Sequence, residues 1–287
     1  MAPQLHALKV AAAGAVAGAT TEVLLLAASS TPARRHVLFF PGDAQMRRAE
    51  MEADLRHGTF ELAHHSLDDT LPRVQAAFGG DAHVWAVRPQ RMVYQFACYQ
   101  QFARVSLIGA AEYDGDTPKA GEALGSLLEG VLAQAIEEKT VDAAASGLPL
   151  VLAGFSKGCV VLNQLLAELG AGAPAARALI ARTVALHFID GGNGSERGAF
   201  YGEAPALDAL GEAATGRAAD AELRVHVHSS PYMLESPKAP WIRAERDAFA
   251  AGLRARGVPV SVLEYFEDEP PSLERHFEVL GALRVAN

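Results

Sequence analysis

Short apolar runs alternate with stretches of helical periodicity along most of the chain after residue 35. Glycine, proline or polar residues bound these runs, and the run before Gly154 is almost continuously apolar. A continuous run of this kind predicts a central strand that helices cover on both faces. The predicted strands are His36–Phe40, Ala82–Val87, Leu148–Ala153, Thr183–Ile189, Leu223–His228 and Pro259–Phe266.

The segments between these runs repeat their apolar positions at helical spacing. The segment after Ser156 is apolar most of the way round, which predicts a buried helix. The predicted helices are Leu67–Phe78, Pro118–Glu138, Lys157–Leu169, Pro205–Ala214, Trp241–Arg256 and Ser272–Leu283. Such alternation predicts the α/β class, with a mostly parallel sheet and helices on both faces.

The N-terminal part of the chain predicts a hairpin of two strands, Leu5–Val10 and Glu22–Ser29. The first twenty-one residues contain no acid, but they also contain no arginine and only one lysine, so they do not form a convincing leader peptide. Glycine, threonine and glutamate interrupt the apolar run Ala11–Ala28, whereas a membrane span needs about 18 or more apolar residues. We therefore expect no stable membrane insertion.

Composition narrows the class of protein further. The chain has 287 residues, of which 50% are hydrophobic and 21% charged, and this suits one large domain spanning 1–287. The net charge of −9 argues against nucleic acid as a partner, because phosphate binding needs a basic face. Cys98 and Cys159 are too few for a disulfide framework and favour a reducing compartment.

The segment Gly154-Phe155-Ser156-Lys157-Gly158 carries the main candidate chemistry. It lies between a predicted buried strand and a predicted buried helix with no spare residues, which is the context of a nucleophile elbow. Small residues at both ends permit the tight turn that exposes a serine hydroxyl above the sheet. The sequence therefore predicts an α/β-hydrolase fold with Ser156 as nucleophile, although a plain strand-to-helix turn would share the pattern.

An acyl-transfer site also needs N–H donors for the oxyanion that develops on the substrate. The backbone N–H of Lys157 is one predicted donor, because it follows the serine at the start of a helix. The loop after the first strong strand is predicted to supply the second, from Gly42, Asp43 or Ala44. An ordinary Pro-Gly-Asp turn remains the alternative for this loop.

A serine needs a base to accept its proton and a carboxylate to orient that base. In this fold the base follows the serine and the acid along the chain. His276 follows the last predicted strand and is the predicted base. Asp190, at the end of a strand and before two glycines, is the predicted acid, with Glu235 in the loop after the next strand as the alternative.

Two weaker patterns leave alternatives open. His226-x-His228 places two imidazoles on one strand face, as metal ligands would be, but no third ligand is evident and hydrogen-bonded core histidines are commoner. We expect neither a metal nor a cofactor. The aromatic-rich segment 91–117 is the predicted lid or cap, and its aromatic side chains form either packing or a wall of the substrate pocket.

Several stretches resemble the chromosome two open reading frame sixty-nine family, which is associated with mitochondria in animals. The similarity extends from about residue 20 to the end. The stretches are Phe40-Pro41-Gly42-Asp43, Phe96-x-Cys98-Tyr99, Gly154 to Leu166, Asp190-Gly191-Gly192, Pro231-Tyr232 and Pro271-Ser272-x-Glu274-x-His276-Phe277. The resemblance implies an α/β-hydrolase fold, a triad of Ser156, Asp190 and His276, and a mitochondrial location, with the cytoplasm as the alternative.

The hypothesis that follows is a serine hydrolase that cleaves an ester or thioester of an acyl or lipid-like small molecule. Transfer of the acyl group to an acceptor other than water has the same sequence requirements. A binding or regulatory protein that keeps the fold without turnover is the main alternative, because fold does not imply function. A protein partner is compatible with either hypothesis.

Overall fold

A computed structural model describes residues 4–11, 20–115, 120–218 and 221–285. Its main sheet has eight strands in the order β1-β2-β4-β3-β9-β10-β11-β12. The pairs β1–β2 and β2–β4 are antiparallel, and all later pairs of this sheet are parallel. The strands are β1 Leu5–Ala11, β2 Thr20–Leu26, β3 Arg35–Phe40, β4 Ala82–Val87, β9 Leu150–Phe155, β10 Thr183–Ile189, β11 Arg224–Ser229 and β12 Val260–Glu264.

Helices cover both faces of this sheet. One buried cluster joins the sheet to α3, α4, α5, α6 and α8, and a second joins the opposite face to α2 and α9. The helices are α1 Arg48–Ala53, α2 Leu67–Phe78, α3 Ala120–Glu137, α4 Cys159–Gly170, α5 Pro174–Arg182, α6 Ala204–Ala214, α7 Pro231–Leu234, α8 Ile242–Arg254 and α9 Leu273–Ala282. Short 3-10 turns occupy Thr59–His65, Ala143–Gly147 and Ser156–Gly158.

Strand β9 and helix α4 form the centre of the fold. All six residues of β9 are buried between β3 and β10, and every residue of α4 from Cys159 to Leu169 is buried. Burying one leucine side chain contributes about 1.5–3 kcal/mol. Truncating Leu152 to alanine would cost about 2–5 kcal/mol, since a cavity would remain. The turn between β9 and α4 is thus held by the most buried part of the chain.

The predicted mostly parallel α/β sheet and the N-terminal hairpin are confirmed. The predicted helix from Pro118 is described from Ala120 onward, and its first two positions lie outside the described residues. Three of the described helices, α1, α5 and α7, were not predicted. Helix α1 has a single buried residue, Met51, α5 is short and alanine-rich, and α7 has only four residues, so none of them shows a strong apolar period.

The segment 91–117 differs from the irregular lid that the sequence suggested. Its described part contains two small antiparallel hairpins. Their strands are β5 Arg91–Val93, β6 Phe96–Cys98, β7 Arg104–Val105 and β8 Ala111–Glu112. Strands of two or three residues are too short to show an alternating pattern, which explains why the sequence did not reveal them.

Within the described ranges, no single helix has both the length and the apolar composition of a membrane span. Only the bent pair Ser156–Gly170 and Pro174–Arg182, at 119°, reaches that composition. Cys98 and Cys159 are both free and buried.

Candidate active site

A cavity of about 320 Å³ lies at the carboxyl ends of the parallel strands. In open α/β sheets this edge is where ligands bind, because the loops that follow the strands converge there. Ser156 reaches the cavity from the end of β9, and Asp43 and Ala44 reach it from the loop after β3. Tyr232 follows β11, and His276 comes from α9. The cavity therefore collects residues from widely separated parts of the chain.

Ser156 lies in a tight turn between β9 and α4 and has a φ of +52°. Left-handed backbone at a non-glycine residue costs about 1–3 kcal/mol and persists only where the surroundings impose it. The neighbouring glycines explain how the turn fits. A Cβ on Gly158 would lie 1.9 Å from the carbonyl oxygen of Phe40, and one on Gly154 would lie 2.8 Å from Cys159 Cα. Only glycine fits at these two positions.

The loop after β3 approaches the serine closely. A Cβ on Gly42 would lie 2.7 Å from Ser156 Cβ. The Gly42 N–H donates to Gln45 Oε1 at 2.9 Å, and the Ala44 N–H donates to the Gln95 carbonyl at 2.7 Å. The Asp43 N–H has no hydrogen-bond acceptor in the described chain. Of the three N–H groups considered in this loop, two are therefore engaged and that of Asp43 is available.

His276 and Asp190 are hydrogen-bonded inside the fold. His276 Nδ1 lies 2.7 Å from Asp190 Oδ2, and both side chains are buried. Asp190 has a φ of +47°, and its N–H donates to the carbonyl of His228 at 2.7 Å. Ser230 donates to the same carboxylate twice, from its N–H at 2.7 Å and from its hydroxyl at 2.5 Å. Asp190 thus has fixed donors on both oxygens.

Two aromatic rings hold the imidazole of His276. Phe155 lies on one side with its ring centroid 4.6 Å away, and Tyr232 lies 4.7 Å away. Ser156 lines the same cavity as His276, but within the described residues their side chains share no direct hydrogen bond. Such bonds are often long in unliganded enzymes and tighten when substrate binds.

The alternative acid, Glu235, lies elsewhere. It is exposed at the end of α7 and makes no hydrogen bond to His276. Ser230 is the residue that the sequence analysis missed. It directly follows β11, where the alternative acid was sought, and its polar side chain at a strand end was the only available signal.

Asp43 adds a second carboxyl group to the cavity wall. Burial raises its pKa, while the nearby positive charge of Lys157 and the Ala97 N–H oppose that rise. The Ala97 N–H donates to Asp43 Oδ1 at 2.8 Å, which joins the loop after β3 to the first lid hairpin. Asp43 therefore contributes to the cavity through its carboxyl group as well as its backbone.

The described part of the predicted lid is joined to the sheet edge by buried polar contacts. Tyr99 is buried and its hydroxyl donates to the Pro41 carbonyl at 2.6 Å. The second hairpin is held by Asn193, whose amide bonds both the N–H and the carbonyl of Ala111. Phe96 lines the cavity, whereas Tyr94 is exposed. The aromatic segment thus contributes both packing and part of the cavity wall.

His226 and His228 belong to a buried group of three histidines. His187 stacks on His226 with ring centroids 4.4 Å apart, and its Nδ1 lies 3.1 Å from His228 Nε2. The Tyr265 hydroxyl hydrogen-bonds His228 Nδ1 at 2.8 Å. Burial lowers the pKa of His228 to about 3, which favours neutral rings. Hydrogen bonding and stacking account for these histidines without a metal.

Elsewhere in the described residues, three possible metal ligands converge only at His64, His65 and Glu274, whose ligand atoms all lie within 4.8 Å of one another. Hydrogen bonds from both imidazoles to the Glu274 carboxylate explain this arrangement. Two of the three residues are exposed, and the group lies outside the cavity lining.

Comparison with known sequences identifies related proteins. The C2orf69 family matches residues 13–146 and 129–259. A Danio rerio protein named mitochondrial protein C2orf69 homolog is 34% identical over 85% of this chain and 72% of its own length. A Mus musculus homolog of the same name is 28% identical over 91% of this chain and 82% of its own. These matches confirm the family resemblance, and the relatives' names support the predicted mitochondrial localisation.

Comparison with solved structures identifies the fold. The crystal structure of a thermostable esterase matches with a TM-score of 0.51 and 14% identity, over 95% of this chain and 56% of the esterase. A lipase/esterase from Lactobacillus plantarum matches with a TM-score of 0.47 and 14% identity, over 92% of this chain and 93% of that one. At this level of identity the likeness concerns the α/β-hydrolase fold alone.

Proposed function

The chain belongs to the C2orf69 family, and we propose that it catalyses serine-dependent cleavage of an ester or thioester. The proposal is argued from the geometry of the site, because the names of the matched relatives state no reaction. The observation that carries this proposal is the hydrogen bond from His276 to the buried Asp190, beside the cavity that Ser156 lines. Asp190 fixes the imidazole so that its other nitrogen, Nε2, is available to a nucleophile.

In the proposed reaction the Ser156 hydroxyl attacks the substrate carbonyl while His276 Nε2 takes its proton. The resulting imidazolium is stabilised by the Asp190 carboxylate and returns the proton to the leaving alcohol or thiol. A water, activated by the same imidazole, then releases the acyl group from the serine. An acceptor other than water would turn the same steps into acyl transfer.

The oxyanion of each tetrahedral intermediate is assigned to two backbone donors, the N–H groups of Lys157 and Asp43. The first N–H groups of a helical turn have no partner inside the turn, and Lys157 directly follows Ser156 in the 3-10 turn that precedes α4. Asp43 lies in the loop that Gly42 brings against the serine. One such donor typically contributes on the order of 3 kcal/mol to lowering the barrier.

Covalent labelling with a fluorophosphonate, followed by mass spectrometry of the adduct, tests this proposal. We expect an adduct on Ser156 of the wild-type protein and none in Ser156→Ala or His276→Ala. Ser195 provides a matched control, because it lines the same cavity and, within the described residues, makes no hydrogen bond to His276 or Asp190. Ser195→Ala is expected to label like the wild type. Absence of labelling in folded wild-type protein would contradict the proposal.

The missing direct hydrogen bond between Ser156 and His276 favours one competing function, a hydrolase-fold protein that binds a ligand without turning it over. The two proposals differ in the behaviour of His276→Ala. An activated serine loses its reactivity in that variant, whereas a binding protein has no reactivity to lose. A panel of acyl esters and thioesters measured beside the labelling experiment separates them, since only an enzyme gives turnover that Ser156→Ala removes.

A further inference from the structure

The proposed oxyanion role of Lys157 uses its backbone N–H and does not require its side chain. The residue is only 2% exposed, yet it lines the cavity beside Ser156. Its Nζ lies 3.1 Å from the point that a Cβ on Gly194 would occupy, so the ammonium group lies against the loop that follows β10. Across the described chain, this ammonium makes neither a hydrogen bond nor an ion pair. Asp43 interacts with it electrostatically but is not in ion-pair contact.

A nearly buried ammonium without a hydrogen-bond or ion-pair partner is costly because it loses its hydration, and Asp43 acts on this ammonium only from beyond ion-pair distance. The Asp43 carboxylate oxygen Oδ1 already accepts the Ala97 N–H. An anionic group on a ligand that binds in the cavity can supply the direct partner for this ammonium. A second lysine, Lys238, lies in the cavity wall and is exposed. The following helix, α4, directs its amino end toward the same region and also favours negative charge there.

We propose that Lys157 forms an anion subsite, and that the substrate is an acyl ester or thioester bearing a compact oxyanion, a carboxylate or a phosphate, that reaches Lys157 within the same cavity. Identification of this group as part of a substrate rests on the proposed function. The subsite itself does not, because it requires only an anion that binds in the cavity. This substrate class is narrower than an acyl or lipid-like molecule, since a purely aliphatic chain would leave the ammonium without a direct partner.

The subsite is tested without turnover by calorimetric titration of Ser156→Ala protein with adipate, a dicarboxylate, and separately with inorganic phosphate. Adipamide, which has the same chain and no charge, is the matched ligand control. We expect at least one anion to bind and adipamide not to bind. Introducing Lys157→Met into the Ser156→Ala protein should weaken anion binding about 10- to 100-fold, which is the effect of losing a charge-assisted hydrogen bond. Adding Lys238→Met removes an equal charge from an exposed position and should weaken binding less.

Turnover links the subsite to the reaction. The selectivity ratio is kcat/KM for mono-4-nitrophenyl adipate divided by kcat/KM for 4-nitrophenyl hexanoate, its neutral counterpart. We expect this ratio to fall about tenfold or more in Lys157→Met and to remain near the wild-type value in Lys238→Met. Any effect of the substitution on the serine turn itself cancels in the ratio, because both esters depend on that turn.

The outcomes separate this inference from the proposed function. Anion binding that requires Lys157, without turnover of either ester, would retain the subsite and contradict the hydrolase. Turnover of both esters with an unchanged ratio in Lys157→Met would retain the hydrolase and overturn the subsite. Equal binding losses in the two lysine variants, or no binding of either anion, would also overturn it. If Lys157→Met does not fold, protection of wild-type Ser156 from fluorophosphonate by adipate but not by adipamide supports the subsite, and equal effects of the two overturn it.

Discussion

His276 on α9 and the three clustered histidines of β10 and β11 differ in their partners rather than in their burial. His276 is 4% exposed, and His187, His226 and His228 are 1%, 4% and 0% exposed. His276 is hydrogen-bonded to a carboxylate and lines the cavity. The three others bond or stack with one another and with a tyrosine. Burial alone therefore does not distinguish a candidate catalytic base from a core histidine.

The difference follows from what each environment does to the charged imidazole. In the proposed reaction the Asp190 carboxylate would stabilise the imidazolium that forms when His276 accepts the serine proton. Burial disfavours the protonation of His187, and the neighbouring His228 and His226 add to that effect, so the pKa of His187 lies well below its ordinary value. One group is suited to carrying a proton during a reaction. The other is suited to remaining neutral within the core.

The largest expected effect comes from Asp190→Asn, which would remove the charge that distinguishes His276 from the histidine cluster. We expect kcat/KM for an activated ester to fall about 10⁴-fold, as happens when the imidazole of a serine triad loses its orienting carboxylate. His226→Gln changes the histidine cluster and should leave kcat/KM unchanged. Steady-state kinetics on folded variants measure both. Equal losses of kcat/KM in Asp190→Asn and His226→Gln would show that His276 and the histidine cluster do not differ in their importance for the reaction.

The histidine cluster should make folding stability depend on pH. His228 has a pKa of about 3 in the folded protein, against about 6.5 when unfolded, so the unfolded chain binds more protons between these values. The free energy of unfolding should therefore fall as pH decreases from about 6.5 toward 3. His228→Gln should reduce this slope by up to about 1.4 kcal/mol per pH unit.

Urea unfolding between pH 4 and 7 measures this slope. The groups that face His228 are His187, His226, Tyr265 and Arg284, and the last adds positive charge that also opposes protonation. His6, which lies on β1 outside the histidine cluster, provides the control, and the change in slope is compared between His228→Gln and His6→Gln. A slope that His228→Gln does not change would show that other groups govern the acid response.

The smallest expected effect comes from Ser230→Ala. This variant loses the hydroxyl donor to Asp190 Oδ2 but keeps the backbone N–H that donates to Oδ1. We expect kcat/KM to fall about tenfold, well short of the loss in Asp190→Asn, because the carboxylate retains its charge. Ser195→Ala, measured in the same assay, sets the baseline for a cavity serine without this contact. If Ser230→Ala lowers kcat/KM no more than Ser195→Ala does, the Ser230 hydroxyl does not position Asp190.

Local patterns along the chain predicted much of the sheet and the turn at Ser156. The apolar run that became β9 and the mostly apolar helix that became α4 are both strong local signals, because an element buried on all sides carries apolar residues on every face. The short hairpins of the lid and the helix α5 were missed for the opposite reason. Their positions depend on contacts with other parts of the chain, such as Asn193 with Ala111.

The sequence by itself determined the α/β class, the place of Ser156 between a strand and a helix, and the residue types available as base and acid. Only the tertiary structure shows that His276 is hydrogen-bonded to Asp190 and not to Glu235, because Asp190 and His276 lie 86 positions apart along the chain. It also decided which N–H groups near Gly42 are free, and that the ammonium of Lys157 lies against the cavity. Periodicity reports which face of an element is buried, whereas a site forms where loops from distant strands meet, and no local pattern encodes that meeting.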